Sequence, residues 1–113
     1  METKELMIGD KVMVKVLSQI PDTYVLHTWT ANDYSRDLQV KPIPLTPEIL
    51  EKNGWWFNVE DMWLNEDVDF SIEKWNGKFQ CYDINQIKLD SVHRLQQILR
   101  LCGLNELADN FKV

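Results

Sequence analysis

From Asp90 to Gly103 the sequence writes a helix that cannot stand alone. At about 100° per residue, Val92, Leu95, Ile98, Leu99 and Cys102 fall within one arc, while His93, Arg94, Gln96, Gln97 and Arg100 fall on the other side. An apolar stripe of this kind must be covered by another layer of structure. Asp90 or Ser91 can cap its start, and Gly103 can close its end. Leu101 lies outside the arc and implies a second contact. Beyond Gly103, Leu104, Leu107, Ala108 and Phe111 recur at i, i+3, i+4 and i+7, the spacing of a further short helix.

The covering layer reads as β-structure. Asp10 to Ile20 places Val12, Val14 and Val16 on one β-branched face. Pro21-Asp22 is turn chemistry, and Thr23 to Thr30 returns as a second strand, so the pair reads as a hairpin. Ala31 to Asp37 is polar and reads as a loop. Leu38, Val40 and Ile43 predict a third strand, which Pro42 and Pro44 confine to an edge or a sheet exit.

Thr46-Pro47-Glu48 starts a short helix. Thr46 can cap, Pro47 sits where its missing N–H costs nothing, and Glu48 meets the positive end of the dipole. The helix carries Ile49 and Leu50, and Gly54 stops it. Trp55 to Leu64 then supplies one or two short strands. Val68, Phe70 and Ile72 alternate with Asp69, Ser71 and Glu73 in a strand that runs to Trp75. Asn76-Gly77 is a hairpin signal, because a type I′ turn needs positive φ at both centres. Lys78 to Asp83 returns, and Ile87 and Leu89 form a last short strand.

These elements predict one α+β domain over residues 1–113. Its core is a small curved antiparallel sheet, drawn as an SH3-like half-barrel, with one short helix and a longer C-terminal one. The 44% hydrophobic and 27% charged residues are ordinary for a globular chain and exclude a disordered or collagen-like one. No apolar run approaches the roughly 18 residues of a membrane-spanning helix, so no membrane role is expected. Met1 to Leu6 has neither the basic nor the apolar region of a signal peptide. Cys81 and Cys102 cannot build a disulfide framework and read as reduced, buried small hydrophobes. A cytoplasmic address follows as the expectation.

Three stretches carry a resemblance. Leu6-Met7-Ile8-Gly9-Asp10-Lys11-Val12 is similar to an "L-x-I-G-(N/D)-x-V" strand entry. Lys41-Pro42-Ile43-Pro44-Leu45-Thr46-Pro47-Glu48, with Leu50, Lys52 and Gly54, resembles a "PIPLTEE-x-L-x-K-x-GF" block. Val92-His93-Arg94-Leu95-Gln96-Gln97, with Leu99 and Gly103, resembles a "VHQLQN-x-(Y/F)-x-L-x-G" helix. In this order the blocks resemble a group of small uncharacterised proteins of Bacteroides-type gut bacteria, their phages and mobile elements. The resemblance implies an origin and brings no activity or site residue with it. Trp55 stands where the group tends to have Phe, Arg94 where it tends to have Gln, and residues 109–113 run past the group's usual end.

Charge narrows the function classes. Twelve basic residues face eighteen acidic ones, a net of -6. Residues 48–90 hold ten acids and four bases and so carry the whole excess. A duplex binder clusters Lys and Arg against phosphates, so nucleic acid is not the expected partner. The acidic segment is either a solvated face or a surface for a basic partner.

Five tryptophans are many for this length. Trp55, Trp56, Trp63 and Trp75 flank or lie within the acidic segment and form a candidate interaction surface for an unknown protein partner or for self-association. Adjacent Trp55 and Trp56 on a strand must point to opposite faces, so only one can enter a given core. The second candidate is the polar helix face of His93, Arg94, Gln97 and Arg100, with Gln96 beside it. These are base- and phosphate-contacting types, but two arginines supply little electrostatic affinity. A solvated face, or a His–Gln network buried in the fold, accounts for them equally.

No cofactor, metal or catalytic centre is predicted. Cys81, His27 and His93 are reactive types without a local catalytic signature, and Glu66, Asp67 and Asp69 read as solvated. Two Cys and two His are too scattered for a zinc site, and Asp67-Val68-Asp69 lacks the glycine and distal Glu of a calcium loop. There is no phosphate loop. The sequence therefore points to a non-enzymatic interaction module, with an acidic mimic of nucleic acid as the alternative and weak nucleic-acid binding by the Arg94/Arg100 face behind it.

Overall fold

The prolines after Val40 divide the strands into two sheets. The computed structural model describes residues 1–15, 23–58, 60–75, 77–82 and 87–113, with the Trp75 side chain left aside. Strands β1 (Lys11–Lys15), β2 (Tyr24–Thr28) and β3 (Val40–Lys41) form an antiparallel sheet in the order β2-β1-β3. Pro42 lacks a ladder N–H, and β3 ends before it after two residues. Val14 faces Val25 on one side and Val40 on the other. Val12, Val14 and Val40 turn to one face and bury a small core with Leu6 and Trp29. The predicted strand residues 16–20 and the Pro21-Asp22 turn lie outside the described residues.

Ala31–Ser35 is a 3-10 helix rather than the expected loop. Asp33 makes the difference: its Oδ2 accepts the Thr30 amide at 2.8 Å and the Thr30 hydroxyl at 2.9 Å. That bonding closes the turn at its own N-terminus.

Helix α1 (Pro47–Lys52) forms as its start signal demands, with Thr46 Oγ1 accepting from the Ile49 amide at 3.2 Å. Gly54, at φ +85°, ends it in a conformation that side-chain-bearing residues rarely adopt. Strands β4 (Trp56–Phe57), β5 (Met62–Leu64), β6 (Ile72–Trp75) and β7 (Lys78–Cys81) follow as a four-stranded antiparallel sheet in chain order. The predicted strand from Val68 is shorter than its alternation. Val68 and Phe70 are buried, but pairing with β5 reaches only to Ile72. Gly77 has φ +78°, as the hairpin signal requires, and Asn76 lies outside the described residues. The Ile87–Leu89 segment lines β7 as a single bridge at Lys88, tied by Cys81 N to Ile87 O and Leu89 N to Phe79 O, both 2.8 Å.

Helices α2 (Val92–Leu101) and α3 (Asn105–Asp109) complete an α+β fold. Val92, Leu95, Ile98 and Leu99 enter the main core with Trp55, Trp63, Phe70, Ile72, Phe79 and Cys81, while α3 adds Ala108 and the segment after it adds Phe111. Cys102 departs from expectation and is exposed. The chain has already left the helix there (φ -85°, ψ 6°), so helical phase no longer carries its side chain inward. Leu101 is 80% exposed, and the second contact implied for it is absent among the described residues. No helix among these residues is long and apolar enough to cross a membrane.

Candidate functional site

Alternation in the four-stranded sheet decides the tryptophans. Trp63 pairs with Phe57 and Ile72, and Ile72 with Cys81, so these four share the inner face. Trp63, Ile72 and Cys81 are buried there, and the Phe57 ring lies on Trp63 at 5.2 Å between centroids. Trp55, one residue before the strand, packs against Phe70 at 5.8 Å and is also core. Trp55 and Trp63 therefore leave the candidate interaction surface, because the apolar side of α2 needs their bulk beneath it. The Trp75 side chain lies outside the description.

Trp56 has the opposite fate. It shares the outer face with Leu64, and alternation adds Met62 and its partner Glu73. Trp56 is 44% exposed, Met62 and Leu64 are half-buried, and Phe57 overhangs the edge at 52% exposure. β4 is the outer strand of its sheet. Gln80 donates to the Glu73 carboxylate, fixing one end of the patch. Exposed Glu60 and Asp61 sit in the β4–β5 connection, and exposed Glu66, Asp67 and Asp69 follow β5. The result is a small aromatic and thioether patch with an acidic rim.

The polar helix face is not solvated. His93 and Gln96 are buried, Gln97 and Arg100 are half-buried, and only Arg94 of this set is exposed. Gln96 sits against the entry of β1. Its Oε1 accepts the Lys11 amide at 2.8 Å, and its Nε2 donates to Gly9 O at 3.0 Å and Ala108 O at 2.8 Å. Gln97 Nε2 donates to Glu5 O and Asp10 Oδ2, both at 2.8 Å. Arg100 Nη1 reaches Asp10 Oδ1 at 2.5 Å, and Nη2 reaches Asp109 at 3.4 Å. These side chains join the two sheets through α2, so Gln97 and Arg100 are withdrawn from any external binding surface.

A second polar cluster escaped the sequence reading. His27 Nε2 lies 2.8 Å from Asp33 Oδ2, and Arg36 lies 3.3 Å from the other oxygen. Burial alone would raise the Asp33 pKa. Hydrogen bonds from His27 and from the Thr30 amide and hydroxyl, with the His27 charge, outweigh that and hold it at about 2. The His27–Asp33 pair flanks Trp29, which also meets the Tyr34 ring at 5.7 Å, while Tyr34 donates to Leu6 O. The cluster closes the small core. The Asp33-to-Thr30 spacing was a local signal for it, whereas His27 lay in a strand with no such cue.

No group of three or more His, Cys, Asp or Glu among the described residues is placed to hold a metal ion. Comparison with protein-family models, with curated proteins and with solved structures finds no match to this chain.

Proposed function

We propose that this chain is a non-enzymatic protein-interaction module that takes a basic, apolar-bearing segment of a partner protein on the outer face of its four-stranded sheet. The observation that carries the reading is Trp56, nearly half exposed on an outer strand beside Met62 and Leu64 while the neighbouring tryptophans are core. A solvent-facing Trp on a rigid sheet is the residue type that anchors interfaces, and it attracts cationic side chains to its ring. The acidic rim favours the same cations and sets partner choice more than raw affinity. In keeping with its resemblance to phage and mobile-element proteins, the module acts inside the bacterial cell in this reading.

The test is an affinity pull-down from bacterial lysate with and without nuclease, using the wild-type chain and Trp56→Ala. A nuclease-resistant protein retained by the wild type and lost with a folded Trp56→Ala supports the reading. Retention by both forms removes Trp56 from the interface, and loss after nuclease replaces the protein partner with nucleic acid.

A further inference from the structure

Sheet edges in this fold are short or covered, with one exception. The outer side of β7 is lined by the Ile87–Leu89 segment, and β3 and β4 are two residues each. β2 is five residues long and stands outermost in its sheet. Its ladder shows which backbone groups are unpaired. Lys15 N donates to Gln39 O on the β3 side at 3.0 Å, and Lys11 N donates to Gln96 Oε1 at 2.8 Å. Val12 and Val14 are therefore the β1 residues that bond to β2, with His27 and Val25 opposite them. Trp29 N keeps that phase by donating to Asp10 O at 2.8 Å. The N–H and C=O groups of Tyr24, Leu26 and Thr28 are left pointing off the sheet, without a backbone partner among the described residues. Proline or lysine commonly blunts such an edge, and Tyr24–Thr28 contains neither.

The side chains around this edge select what can join it. Val25 and Leu26 are 46% and 52% exposed, one on each face of the strand. The Leu26 face also carries Lys11, Lys15 and Lys41, with Tyr24 and Thr28, while Met13 packs against the main core. Two of the lysines lean toward the open edge. Lys11 Nζ donates to Thr28 Oγ1 at 2.6 Å, and Lys41 Nζ lies 4.0 Å from the centre of the Tyr24 ring. A hydroxyl and a ring leave both charges without a counter-ion. None of the three lysines forms an ion pair with a described residue, and β1, β2 and β3 contain no Asp or Glu.

We propose that β2 accepts an extended, acidic segment of a partner protein as a fourth strand of its sheet. The segment's backbone pairs with Tyr24, Leu26 and Thr28, and an apolar side chain lies beside Leu26. Carboxylates two residues to either side meet Lys15 and Lys41 at one end and Lys11 at the other. Strand addition of this kind draws affinity from main-chain hydrogen bonds and specificity from alternate side chains. A second copy's β2 in that place would bring two sets of three lysines together. Tyr24 is half-buried with Lys41 over its ring, so it offers no open face on which a nucleic-acid base could stack. The β2 edge shares no residue with the Trp56 face, so the two readings stand or fall separately.

The test is a ¹H–¹⁵N NMR titration of the full chain with the capped peptide Thr-Glu-Val-Leu-Val-Glu-Thr, which reads the same in either strand direction. Two control peptides are used, one with both Glu replaced by Lys and one N-methylated at the central Leu. Saturable shifts centred on the Tyr24, Leu26 and Thr28 amides are expected from the first peptide. Each control should bind at least about tenfold more weakly, because one loses the charge match and the other a main-chain donor. Lys41→Glu and Lys15→Glu should each weaken the parent peptide by a similar factor, and the same spectra report that the fold is intact. Equal binding of the N-methylated and parent peptides, or shifts that follow ionic strength alone, overturn the proposal. Tighter saturation of the same amides by a single-stranded oligonucleotide overturns it in favour of nucleic acid. Concentration-dependent broadening of those amides without peptide overturns it in favour of a second copy.

Discussion

Asp10, fully buried at the entry to β1, accepts a hydrogen bond from Arg100, ninety residues later on α2. The same carboxylate takes the Met7 amide at 2.9 Å and the Gln97 side chain at 2.8 Å. A buried charge with this many donors is satisfied, and removing its counter-charge leaves it stranded. Arg100→Ala should therefore cost about 3–5 kcal/mol in urea unfolding. The Asp10→Ala/Arg100→Ala double variant should lose clearly less than the sum of the single losses. Strict additivity would show that the pair does not couple the helix to the sheet.

Gly9 is where this coupling leaves no room. Its φ is +95°, and a Cβ there would meet Arg100 Nη2 and Asp109 Oδ1, each at 2.8 Å. Gly9→Ala should destabilise by about 1–3 kcal/mol through strain at that backbone position, and more where Arg100 is displaced. A substitution within measurement error would mean the guanidinium moves aside freely. Combining Gly9→Ala with Arg100→Ala should recover the steric part of the loss.

Local chemistry made α1 legible: Thr46, Pro47 and Gly54 each act on the backbone within a few bonds of themselves. The alternation from Val68 to Ile72 was legible as burial but not as pairing, because a ladder depends on a partner strand the pattern does not name. The polar side of α2 stayed open between a solvated face and a buried network for the same physical reason. Gln97 and Arg100 satisfy water and a buried strand entry equally well, and their partners Glu5 and Asp10 lie 87 to 92 residues away. Gly9-Asp10 and the Gln96-Gln97 pair belong to two of the stretches that carry the resemblance, yet only the fold brings them together. Trp55 and Trp56 could be assigned to opposite faces from the sequence, but which face was core required the register with β5.

Two groups should set the acid limb of stability in separate windows. Asp33 is held at about 2 against 3.8, so its stabilising contribution is complete above about pH 4 and is lost as pH falls toward 2. His93 lies below 6.5 because burial disfavours its charged form. The unfolded chain therefore binds that proton first, and stability falls as pH drops below about 6.5. In unfolding measured against pH, Asp33→Asn should flatten the lower window and His93→Gln the upper one. An unchanged lower limb in Asp33→Asn would assign that limb to other carboxylates.

The neighbours Trp55 and Trp56 differ in environment enough to be separated in solution. Trp63 fills the core under Phe57, so Trp63→Ala should cost about 3–5 kcal/mol. Trp56 is half in water, and its truncation should stay within about 1 kcal/mol. Acrylamide quenching reads the same contrast without unfolding the chain. Trp56→Phe should lower the quenchable fraction of the fluorescence, whereas Trp55→Phe should leave quenching intact, because Trp55 is 3% exposed. Loss of quenching in Trp55→Phe instead would mean that the register of β4 on β5 is shifted by one residue. A shift of that kind would exchange the faces of the strand and put Trp56 in the core.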